Sequence, residues 1–112
     1  MLIHQLLEGS AVTHQDAIAV EDSQGRRITY EELDQQSDQW QRRLTAVGVQ
    51  EGDRVGLVLR KSIEAVASIF GILKAGAAYV PVDAAAPTER NAYILSDCSV
   101  RAVTVSYTHL RA

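Results

Sequence analysis

The chain has a single cysteine, Cys98, so no disulfide can form within it, which fits a reducing compartment. No apolar run approaches the ~20 residues that a membrane helix needs. The start, Met1-Leu2-Ile3-His4-Gln5, lacks the basic stretch and long apolar core of a secretory signal. A cytoplasmic protein with no membrane partner is the expectation. Basic residues are few and scattered, 11 against 14 acidic, for a net charge of −3. Without a basic stripe there is no electrostatic footprint for nucleic acid. His4, His14, His109 and Cys98 show no metal-ligand spacing. A Gly-x-x-x-x-Gly-Lys-Ser/Thr phosphate loop is also missing. Disorder is excluded by a composition that is 46% hydrophobic and 22% charged. At 112 residues the chain is long enough for one domain with its own core.

The pattern that is present is α/β. Leu2, Ile3, Leu6 and Leu7 fall on one side of a short helix over 2–12. Two short β-like runs, 17–21 and 26–29, flank the polar turn Asp22-Ser23-Gln24-Gly25 and predict a hairpin. Tyr30, Leu33, Trp40, Leu44 and Val47 then recur at helical spacing, with Ser37 filling the stripe. Thr29 and Glu32 form a capping box at the helix start, and Gly48 is the natural left-handed exit. Residues 54–59 read as a strand covered on both faces, hence part of a parallel sheet. Ser62 caps the next helix, whose predicted stripe is Ile63, Val66, Ala67, Phe70 and Leu73. Gly71 inside it costs ~1 kcal/mol against alanine, and close packing against a neighbour would account for it. Lys74-Ala75-Gly76 ends this helix, with the cation placed to offset the helix dipole. A strand over 77–82, a turn at Ala84-Ala85-Ala86-Pro87, a helix over 88–96 and a strand over 101–105 follow. The alternation predicts a βαβαβ open parallel sheet, preceded by a helix and a small β-hairpin.

Three stretches, in order and at the right spacing, resemble the adenylate-forming, AMP-binding ligases: the amino-acid adenylation domains of nonribosomal peptide synthetases and the acyl- or aryl-CoA ligases. Ile28-Thr29-Tyr30-Glu31-Glu32-Leu33-Asp34 is similar to that family's first core motif. Gly48-Val49 through Gly52-Asp53-Arg54-Val55 is the second stretch. Leu73-Lys74-Ala75-Gly76-Ala77-Ala78-Tyr79-Val80-Pro81-Val82-Asp83, followed by Pro87, Arg90, Leu95 and Asp97, is similar to the second core motif. The resemblance covers residues 1–105 and implies the start of the family's large N-terminal domain. It also implies ATP and Mg2+ for the intact enzyme, a carboxylic or amino acid substrate, and CoA or a carrier-protein phosphopantetheine arm as thiol acceptor.

The residues themselves read as structural. Thr29 and Glu32 cap, Tyr30 and Leu33 begin a buried face, and Trp40 packs. Lys74 serves a helix end rather than a phosphate, and Cys98 is a half-buried small residue. Asp83 sits at the carboxyl end of its strand, where open α/β sheets bind ligands, yet a turn role fits it better. No catalytic, cofactor-binding or metal residue is therefore assigned. The family's phosphate loop, acidic motifs and late lysine would lie beyond Ala112, so the chain alone is expected to be inactive and to bind no ATP. Ser106-Tyr107-Thr108-His109-Leu110-Arg111-Ala112 departs from the family and resembles a translated sequencing-adapter read-through, so 106–112 is expected to be a non-native tail. A start so near the adenylation region slightly favours a stand-alone ligase or loading module. The alternative reading is a small autonomous α/β nucleotide-binding or regulatory module.

Overall fold

The computed structural model describes residues 3–59, 62–83, 87–98 and 100–105. The elements are α1 (Ile3–Thr13), β1 (Ile18–Glu21), β2 (Arg27–Thr29), α2 (Tyr30–Ala46), β3 (Arg54–Leu59), α3 (Ile63–Lys74), β4 (Ala78–Asp83), α4 (Thr88–Asp97) and β5 (Ala102–Val105). β1 and β2 form the expected antiparallel hairpin, pairing Ile18 with Thr29 and Glu21 with Arg27. β3 lies at the centre of a three-stranded parallel sheet in the order β4-β3-β5. The α/β class, the parallel sheet and the leading helix and hairpin are as expected. The predicted turn at 84–86 and the tail from 106 lie outside the described residues.

Local chemistry sets the helix ends. At the start of α2 the Thr29 hydroxyl accepts the Glu32 amide at 3.2 Å, and the Glu32 carboxylate accepts the Thr29 amide at 2.9 Å. Thr29→Ala is expected to cost about 1 kcal/mol, measured by urea unfolding, because it removes one of these reciprocal partners. Both long helices end alike. Gly48 and Gly76 adopt φ of +96° and +76°. Their amides return to Thr45 and Leu73, and the next residues, Val49 and Ala77, donate to Leu44 and Ile72. These are Schellman closures, and each folds an apolar residue back under its own helix. The predicted stripe on α2 is corrected at its end for this reason. Val47 is the cap residue and stands 67% exposed, while Val49 takes the core place beside Leu44.

Two further stripe assignments change. On α1, Leu6 is 59% exposed, and the buried residues are Leu7 and Ala11. On α3, Val66, Phe70 and Leu73 are only half-buried, whereas Ala65, Ser68, Gly71 and Ile72 are buried alongside Ile63 and Ala67. The reason is that α3 is sandwiched. Gly71 faces Trp40 and Ser37 of α2, and Ile72 packs with Val55 and Ala77 on the sheet side. A helix buried on two sides has no single stripe.

Within β3, alternate residues face opposite ways. Val55 and Leu57 are wholly buried, and Val55 packs with Ile72 of α3. Gly56 points to the other face, where a Cβ would lie 2.5 Å from Leu95 of α4. So α3 and α4 cover opposite faces, as the both-sides-buried reading of β3 requires. Cover on the α4 side is thinner: α4 has no buried residue and Tyr93 is 70% exposed.

Candidate functional site

Three places merit attention: the carboxyl end of the sheet, the end of α3, and the clasp between hairpin and α3. β3 leaves the sheet toward α3 on one face, and β4 leaves toward α4 on the other. The carboxyl ends of the strands are where open α/β sheets bind ligands. Asp83 ends β4 there and is exposed. Its carbonyl accepts a 2.8 Å hydrogen bond from Asn91 Nδ2, which fastens the start of α4 to the end of β4. Asn91 itself was not foreseen, since one amide on a short helix carries no sequence signal.

Lys74 sits in the last turn of α3, but its ammonium is turned sideways onto α2. Nζ donates to Asp34 Oδ1 at 2.5 Å, Asp38 Oδ1 at 2.7 Å and the Asp34 carbonyl at 3.2 Å. An ammonium has three donors, so all are used, and the side chain is only 3% exposed. Gln41 Nε2 adds a 3.1 Å bond to the Lys74 carbonyl. The helix-end position was legible, but the double carboxylate clamp was not read. Its signal was there: Asp34 and Asp38 are four apart, flanking buried Ser37, and two acids on the flank of a buried stripe call for a cation. Because Asp34 closes the first core stretch and Lys74 opens the third, this clamp joins the two.

The third place is the hairpin turn. Arg26 Nε meets Asp22 Oδ2 at 2.6 Å, and its two terminal nitrogens each lie 3.1 Å from a Glu64 carboxylate oxygen on α3. This paired geometry is the strongest form of such contact. The hydrogen bond from Arg26 holds the Glu64 carboxyl below its usual value. A group lowered on folding stabilises above its unfolded pKa and loses that contribution as pH falls through the folded one. The hairpin clasp is therefore expected to loosen below about pH 4, the unfolded carboxyl range. Glu64→Gln should flatten the acid limb of a stability–pH curve, which thermal melts at stepped pH would read.

Two shallow, largely apolar grooves lie beside this clasp. One, of about 340 Å³, runs past Val20, Asp22, Ser62 and Ile69. The other, of about 370 Å³, runs past Leu6, Leu7, Tyr30 and Phe70. They meet at Val20 and Val66, and most of their exposed lining surface is apolar. Trp40 packs, with its Cβ against Gly71 and the Arg43 guanidinium 5.3 Å from its ring centroid. Cys98 is half-buried, and its carbonyl accepts from Arg54 Nη1 at 2.8 Å. His4 is half-buried and His14 exposed, whereas His109 lies outside the described residues. Among the described residues no three His, Cys, Asp or Glu side chains are grouped to hold a metal. No helix among them is long and apolar enough to cross a membrane.

These donors do not fit ATP with its metal. Lys74 is saturated, no three His, Cys, Asp or Glu side chains gather for a metal among the described residues, and the two grooves are mostly apolar.

The family model described as "AMP-binding enzyme" matches residues 7–112. Tyrocidine synthase 1 of Brevibacillus parabrevis is 43% identical over 101 residues, which cover 90% of this chain and 9% of that protein. Among solved structures, the nonribosomal peptide synthetase FmoA3 superposes with a TM-score of 0.89 at 38% identity, over 94% of this chain and 11% of that one. The N-terminal domain of FACL13 from Mycobacterium tuberculosis gives 0.86 at 30% identity, over 94% and 27%. The chain thus spans less than a tenth of the length of the curated relatives it matches.

Proposed function

The chain belongs to the AMP-binding enzyme family, and from that premise we propose that it is the scaffold-forming first part of an amino-acid-activating ligase. Its mixed α/β fold, with the three-stranded parallel sheet, is that of the N-terminal domain of adenylate-forming ligases. In the intact enzyme a substrate carboxylate attacks the α-phosphate of ATP. The bond to the β-phosphate breaks, and the acyl-adenylate and pyrophosphate form. A thiol of CoA or of a carrier-protein phosphopantetheine arm then attacks the acyl carbon, and AMP leaves. Such a step needs cations and aligned donors around phosphate oxygens. This segment directs its only described lysine inward, and we place the groups that grip ATP and Mg2+ in polypeptide outside it.

The observation that carries the reading is the Lys74 clamp. Two of the three family-like stretches are spent on holding α2, α3 and β4 together. An amino acid passed to a carrier protein is favoured over a fatty or aryl acid passed to CoA, on degree of likeness. Identity is 38–43% to the peptide synthetase FmoA3 and to Tyrocidine synthase 1, against 30% to a fatty acyl CoA synthetase and to the anthranilate CoA ligase AuaEII.

The test is a graft. Residues 7–105 replace the matching segment of FmoA3, and amino-acid-dependent exchange of pyrophosphate into ATP is measured beside the isolated chain. We expect exchange within tenfold of the parent for the graft and none for the chain alone. Exchange by the isolated 112 residues would refute the assignment of ATP binding to other polypeptide. A folded graft without activity would refute the scaffold role.

A further inference from the structure

We draw no further inference here: the strongest candidate, the apolar trough between the hairpin and α3 where the two grooves meet at Val20 and Val66, carries nothing because the chain spans a small part of its relatives' length and nothing in the structure shows what covers that face.

Discussion

Replacing Gly71 with alanine is expected to destabilise the chain by about 1–3 kcal/mol, the usual cost of overpacking, although alanine is the better helix former by ~1 kcal/mol. The added Cβ would overlap Trp40 Cβ and come within 2.9 Å of the Ser37 carbonyl and 3.2 Å of the Gln41 amide. Two of those three neighbours are backbone of α2, which cannot rotate away. The helices must separate instead, and the separation is felt in both cores. Leu33, Ile63 and Ala67 meet on one side of the crossing, while Leu44 and Ile72 meet on the other. The measurement is urea unfolding, read as a lower midpoint at unchanged slope. Gly9 supplies the internal control, since a Cβ on that helical residue meets nothing within 4 Å. Gly9→Ala should stabilise by up to about 1 kcal/mol. Opposite signs for one substitution in two helices would isolate the contact from the propensity. Stabilisation by both would show that the α2–α3 crossing does not depend on Gly71.

The contrast between these glycines also marks what could be read from the sequence. Elements whose signals are local came out in place. The capping box at Thr29 and the glycine exits at Gly48 and Gly76 depend on neighbours a few residues away, and so does the Asp22–Gly25 turn. The both-sides-buried character of β3 was legible because an uninterrupted apolar run has few other homes. What failed was the choice of buried face wherever a helix has more than one neighbour. The α3 stripe came out incomplete: Ile63 and Ala67 are buried and Val66 and Phe70 pack on their cluster, but Gly71 toward α2 and Ile72 toward the sheet lie off the one face that periodicity describes. Val47 was misplaced because the chain reverses at Gly48 and brings Val49 inward. The resemblance in the motif stretches identified the family, which the match over residues 7–112 shows. Beyond the local capping box, their physical meaning came from contacts far apart in sequence. Nothing local joins Lys74 to Asp34, 40 positions away, or Arg26 to Glu64, 38 positions away.

The Lys74 clamp should give the largest effect of all, and an asymmetric one. Removing both carboxylates, Asp34→Ala with Asp38→Ala, leaves an ammonium that is 3% exposed with only the residue-34 carbonyl as partner. Stranding a buried charge costs about 3–5 kcal/mol. Lys74→Met is expected to cost less, about 1–3 kcal/mol, the range for hydrogen bonds to a charged group. The carboxylates left behind are 26% and 44% exposed and can return to water, and methionine keeps most of the apolar stem. The decisive variant combines all three changes. With no charge left to strand, it should be more stable than the double aspartate variant, a reversal that additive contributions cannot produce. Alkaline pH gives a second handle. Desolvation alone would lower the Lys74 pKa, but the hydrogen bonds to Asp34 and Asp38 outweigh it, and the net shift is upward. A group raised on folding stabilises fully below its unfolded pKa and loses that contribution as pH rises through the folded one. Stability should therefore fall above about pH 10.4, the ordinary lysine value, and Lys74→Met should flatten that limb. In the FmoA3 graft the same substitution should lower the melting temperature and leave the Michaelis constant for ATP unchanged. A lysine that met phosphate would do the opposite, raising that constant with little change in melting, and the structural assignment of the whole Leu73–Ala77 stretch would fall with it.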